Sequence, residues 1–137
     1  MNNDLRIKHL ELIQTIISRM ANNSFLIKGW TITISLAGFG LFANSNKTIF
    51  LFLILFSTII FWILDAYYLR QERLFRKLYE EASIIKNSRK NSSRILNMSV
   101  DKFNHRVSNL LKVAISFPTF FIYISILLIT LVFYLKK

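Results

Sequence analysis

The sequence predicts an all-α integral membrane protein with three transmembrane helices and a basic cytosolic helical layer. Three observations carry that prediction. The chain holds three apolar stretches of spanning length. Its composition joins 53% hydrophobic residues, with 13 Phe, to 18 Lys and Arg against 7 Asp and Glu, a formal charge of +11. The segments between the apolar stretches keep a helical period with few breakers. A soluble domain rarely combines so much apolar content with so much charge. Segregation resolves the conflict, with apolar residues in the bilayer and charge outside it. At 137 residues there is room for a single domain.

Residues 1–24 are expected to form a cytosolic amphipathic helix. Leu5, Leu12, Ile13, Ile16, Ile17 and Met20 share one broad face, with Arg6, Glu11, Gln14 and Ser18 opposite. No apolar core follows the first charges, so this is not read as a signal peptide. Asn22, Asn23 and Ser24 are candidates for a bend. The first span covers residues 25–43, FLIKGWTITISLAGFGLFA, and the second residues 48–69, TIFLFLILFSTIIFWILDAYYL. Roughly 20 apolar residues cross a hydrocarbon core. The link NSNK is short enough to force an antiparallel helical hairpin.

Residues 70–116 are expected to form a basic cytosolic helical hairpin. Its first arm continues the second span without Gly or Pro. Leu74, Phe75, Leu78, Ala82 and Ile85 lie on one face, and Glu72, Arg76 and Glu80 form a ladder on the other. KNSRKNSS, residues 86–93, is the predicted turn. The second arm repeats Leu96, Val100, Phe103, Val107, Leu110 and Ala114 at heptad spacing, which predicts a continuous helix. Arg94, His105 and Lys112 fall opposite that seam. Residues 117–135 make the third span, and Pro118 places an interfacial break at residues 116–118, since Pro is tolerated in a first helical turn.

Charge sets the expected orientation. The middle segment carries Arg70, Arg73, Arg76, Lys77, Lys86, Arg89, Lys90, Arg94, Lys102, Arg106 and Lys112. The loop between the first two spans carries only Lys47. The N-terminus and residues 70–116 are therefore placed in the cytoplasm, in a bacterial inner membrane. Lys136 and Lys137 then fall outside, against the rule.

Several function classes are disfavoured. The chain has no cysteine, which removes thiol nucleophiles, disulfides and cysteine zinc sites. No glycine-rich phosphate loop appears. His9 and His105 lack relay partners and are too far apart in sequence to form a helical metal pair. HEPN-type ribonucleases space Arg and His four to six residues apart; Arg6 and His9 are too close, and Arg94 and His105 too distant. Neither an enzyme nor a bound cofactor or metal is expected.

Three constellations remain. Lys28 and Asp65 lie at matched depth near the inner ends of the first two spans, where an ionisable group needs a partner or water. They form either a pore-mouth pair or a structural salt bridge, unless Lys28 snorkels. The first span carries two small-residue stripes, Gly29, Thr33, Ala37 and Gly40, and Thr31, Ser35 and Gly38. Such stripes permit close helix approach, within the chain or between copies lining a pore. Three spans are too few to enclose a pore, so conduction would require a homo-oligomer, with a tetramer one candidate. The third constellation is the basic layer. Attraction to anionic membrane lipid explains part of it. Arg89, Lys90 and Arg94 stand beyond the membrane edge and suit phosphates of a nucleotide or short strand. Lys102, His105, Arg106 and Lys112 join them as candidate ligand contacts, with Arg73 and Lys77 next and Tyr79 as a stacking face.

The stretches RIKHLELIQTIISRMANNSFLIKGWTIT and FWILDAYYLRQERLFRKLYEE resemble small bacterial membrane proteins of anti-phage defence loci. The resemblance rests on His9-Leu10-Glu11, Ile13-Gln14, Arg19-Met20, Asn23-Ser24-Phe25, Lys28-Gly29-Trp30 and Trp62 through Tyr79, and covers about half the chain. Within such loci the chain looks like the Hailong-type membrane effector. That resemblance implies a channel-forming effector, paired with a nucleotidyltransferase and held inactive by a single-stranded deoxyadenylate oligomer. The competing expectation is a non-conducting scaffold or anchor whose basic segment binds anionic lipid or a protein partner.

Overall fold

A computed structural model describes residues 3–84 and 98–136. Helix α1 runs from Asn3 to Ser45 and α2 from Ile49 to Ile84. A 3-10 turn at Asp101–Phe103 follows, then a short α3, Leu110–Ala114, and α4, Phe117–Leu135. No strand occurs among the described residues. At about 1.5 Å per residue, α1 is roughly 65 Å long and α2 roughly 54 Å.

The N-terminal amphipathic segment and the first apolar stretch are one helix. Asn22, Asn23 and Ser24 do not interrupt it. The Ser24 hydroxyl is engaged with Asp65 across the hairpin rather than competing for its own backbone. The link after α1 is shorter than NSNK, because Asn44 and Ser45 stay helical. Asn46 takes a left-handed φ of 52°, which Asn tolerates better than most residues. Its N–H closes the helix on the Phe42 carbonyl at 2.7 Å. Helix α2 then returns antiparallel along α1, and α4 packs chiefly on α2.

The expected continuous helix of the second hairpin arm is not found. The described part, residues 98–116, is a 3-10 turn, further turns and the five-residue α3. Polar residues break the helix locally. Ser99 donates to the Asp101 carboxylate at 3.0 Å, and Asn109 is extended with ψ 156°. The apolar period still marks burial. Phe103 and Val107 enter a core with Ile13, Ile17, Leu74 and Leu78, and Met98 and Val100 pack on its edge. Leu110 and Ala114 are half-buried. Leu96, Ile85 and the predicted turn at residues 86–93 lie outside the described residues. The break before the last helix falls at Ser116, with extended backbone and Pro118 in the first turn of α4.

Two apolar clusters organise the molecule. One is the core just given, at the basic end. The other joins Phe42, Leu51, Ile54 and Ile126 near the α1–α2 link. Helices α1 and α2 are each long and apolar enough to cross a membrane. Only 17% of the most apolar stretch of α1, and 28% of that of α2, is buried within the chain. Phe25, Trp30, Leu36 and Phe56 are among the large side chains left exposed. A core helix of a soluble protein buries such residues; here they require lipid or protein outside the chain.

Candidate functional site: a buried ion pair in a polar seam

Between the two clusters lies a seam of buried polar side chains. The spacing of Ser24, Lys28, Thr31 and Ser35 puts all four on one face of α1, against α2. Lys28 Nζ donates to Asp65 Oδ1 at 2.6 Å and to Ser24 Oγ at 2.7 Å. Ser24 Oγ in turn donates to Asp65 Oδ1 at 2.5 Å. Asp65 is fully buried and the Lys28 side chain is 17% exposed. Further along the hairpin Gly38 meets Ile54, so one antiparallel register holds over this length. Ser24 was missed at the sequence level, although its position four residues before Lys28 was a usable signal.

Two more buried hydroxyls are tied to helix backbone. Thr31 Oγ1 donates to the Ile27 carbonyl and Thr58 Oγ1 to the Ile54 carbonyl, each at 2.7 Å. Tyr123 of α4 stacks on Trp62 with ring centroids 5.8 Å apart. Trp62 Nε1 donates to the Ala114 carbonyl at 3.0 Å, and the Thr119 hydroxyl reaches the same carbonyl at 2.7 Å. Arg73 donates to Ser116 Oγ at 3.3 Å. These bonds hold α4 and the chain break before it against α2. Sequence reasoning missed Trp62, Thr119 and Tyr123, because nothing in their spacing shows that α4 returns to α2.

The two small-residue stripes have different fates. Thr31 and Ser35 are buried, and Gly38 lies so close to α2 that an added Cβ would stand 2.5 Å from Ile54 Cγ1. Gly29, Thr33, Ala37 and Gly40 are all exposed. Nothing lies within 4 Å of a Cβ built on Gly29 or Gly40.

At the basic end, the Glu72–Arg76–Glu80 ladder takes another form. Arg76 pairs with Glu72 at 2.7 Å, but Glu72 is buried, and Glu80 pairs with Lys77 at 2.7 Å. Of the candidate ligand contacts, Arg89, Lys90 and Arg94 lie outside the described residues. Lys102 pairs with Glu81 at 2.5 Å, and Lys102 and Arg106 flank the Phe103 ring at 4.9 and 5.9 Å. His105, Arg106 and Lys112 are exposed. Arg70 donates to Asn104 Oδ1 at 3.0 Å, and Arg6 to the Ser83 carbonyl at 2.5 Å. His9 is buried, and desolvation holds its imidazole below the ordinary value. Among the described residues, no three His, Asp or Glu side chains come together to hold a metal.

Fold and site together define a class: an all-helical chain with two spanning-length apolar helices, clamped by a buried lysine–aspartate pair. No protein-family model matches the chain, and no curated protein or solved structure does.

Proposed function

We propose that the chain is the subunit of a homo-oligomeric membrane pore, an effector of bacterial anti-phage defence controlled from its basic cytosolic end. In this reading α1, α2 and α4 all span the inner membrane. The N-terminus and residues 70–116 face the cytoplasm, following the excess of Lys and Arg there. The observation that carries the reading is the exposed stripe Gly29, Thr33, Ala37 and Gly40. The chain covers one small face of α1 with its own α2 and leaves the other uncovered. In lipid, helices associate through such close-packing faces, so the uncovered stripe suits a neighbouring copy. Thr33 would then bring a hydroxyl to the interface between copies.

Control by an anionic ligand rests on the charge of the basic end and on the resemblance to Hailong-type effectors. His105, Arg106 and Lys112 supply exposed nitrogen donors there. A ligand that binds one state of the oligomer better than the other shifts the closed–open balance. Purified protein in liposomes tests the reading. Ion flux that a single-stranded deoxyadenylate oligomer alters is expected. An intact oligomer that passes no ions with or without the oligonucleotide would leave the anchor reading in its place.

A further inference from the structure

Helices α2 and α4 leave an open groove between them, of about 460 Å³. Leu51, Phe52, Leu55 and Ile59 line it from α2, and Leu131 and Tyr134 are among those that line it from α4. The Phe52 and Tyr134 rings, 6.5 Å apart, stand at the end near the α1–α2 link. Among the described residues its lining carries no charge, and the Thr130 hydroxyl there already donates to the Ile126 carbonyl at 2.8 Å. The surface that matches this groove lies on α1. Lys28 meets Asp65 and Gly38 meets Ile54, so each step along α1 toward the link is matched by one step along α2. Counted from Gly38 and Ile54, Thr33 lies level with Ile59, Ala37 with Leu55 and Gly40 with Phe52. Three members of the uncovered stripe therefore stand at the depths of three groove residues. The stripe is turned roughly half a helical turn from Thr31, Ser35 and Gly38, which face α2, so a subunit cannot fill its own groove with it.

We propose that the groove of each copy receives the uncovered α1 stripe of the next, so that copies join head to tail. This arrangement rests on the proposed function, in which copies span one membrane in one orientation. Such copies share one depth, so surfaces that meet between them must be level, as these are. Thr33, Ala37 and Gly40 are small enough for the α1 backbone to come close. Leu36, 65% exposed beside them, is the large side chain that enters the groove, at a level between Leu55 and Ile59. The Thr33 hydroxyl donates to the Gly29 carbonyl at 3.0 Å, so the stripe brings no unmet donor into an apolar site. A second groove, between α1 and α2, has Ala37 and Gly38 on its own rim, and a copy occupied there could not also offer Ala37 to a neighbour. Stripe against stripe would pair two copies about a two-fold axis and leave every groove empty. Head-to-tail contact uses both surfaces of every copy and makes a ring where the rotation closes.

The chain has no cysteine, so introduced thiols report alone. Two full-length chains with different tags, each carrying one cysteine, are produced together, and membrane vesicles holding both are oxidised. Only a link between copies then joins the two tags. The level pairs are Thr33→Cys with Ile59→Cys, Ala37→Cys with Leu55→Cys, and Gly40→Cys with Phe52→Cys. Three pairs keep the test decisive if one variant fails to fold. Thr33→Cys with Phe52→Cys is the shifted control, out of level by about 10 Å, where a disulfide spans at most roughly 7 Å between Cα atoms. Level pairs should give at least about fivefold more mixed dimer than the shifted pair. Equal yields from level and shifted pairs would overturn the proposal. So would Ala37→Cys linking to itself as well as it links to Leu55→Cys, the mark of stripe against stripe. No link in any pair would also overturn it, and would leave the groove to a lipid chain. Ion flux is a separate measurement. A linked ring that conducts nothing loses the pore and keeps the interface, and a conducting protein without level links loses the interface and keeps the pore.

Discussion

Asp65 has no exposure to solvent, and its charge is held by two donors on the facing helix, Lys28 and Ser24. Removing one partner of a buried pair leaves the other charge uncompensated, at about 3–5 kcal/mol, whereas removing both can be nearly neutral. Lys28→Met and Asp65→Asn should each destabilise the protein strongly, and the double variant by clearly less than their sum. Unfolding in detergent measures this, and additive losses would show that the pair contributes nothing as a pair. His9 gives a second residue-scale expectation. Burial lowers its folded value, so the unfolded chain takes up a proton at higher pH than the folded one. Stability present above the unfolded value of about 6.5 therefore falls as pH drops through it, and levels off below the folded value. His9→Gln should flatten that part of the pH profile, and an unchanged slope would assign it to other groups.

The three glycines of α1 separate packing inside the chain from packing outside it. Gly38 has no room for a side chain, because Ile54 Cγ1 and Cδ1 would stand 2.5 and 2.8 Å from its Cβ. Ile54 is itself 2% exposed and has little space to move. Gly38→Val should cost about 1–3 kcal/mol, the usual penalty for overpacking. Gly40→Val meets nothing in its own chain and should leave the subunit folded. If copies meet along the uncovered stripe, that substitution disperses the oligomer instead. Sedimentation or crosslinking would read the difference, and an oligomer unaffected by bulk at Gly29 and Gly40 would put the interface elsewhere.

For the whole molecule, the segregation of charge is the main constraint. The basic layer joins the first part of α1 and the last part of α2 to residues 98–116 through the core around Phe103. Some of its cations are already engaged, Lys77 with Glu80 and Lys102 with Glu81. The exposed Lys112 is a better probe of an added anion. Binding of a single-stranded deoxyadenylate oligomer should weaken steeply with salt, because phosphate contacts release counterions. Lys112→Ala should lower the salt slope by about one unit. No binding by the intact protein at low salt would remove the oligonucleotide from the proposed function.

The helical class, the two spanning-length helices and the run of α2 beyond its apolar stretch were all legible in composition and period. Each depends on neighbours in sequence, and helix formation is governed by such local spacing. The matched depth of Lys28 and Asp65 was legible for a related reason: a short link makes an antiparallel register countable. The heptad in residues 96–114 shows the limit. It marked Phe103 and Val107 as buried, yet polar residues on either side of them broke the helix that the period implied. Only the tertiary structure decided which small stripe of α1 is covered, because both consist of small residues and only one meets Ile54. It alone joined Trp62, Thr119 and Tyr123, which no local spacing relates, since their contacts depend on where α4 docks after the chain turns at Ser116.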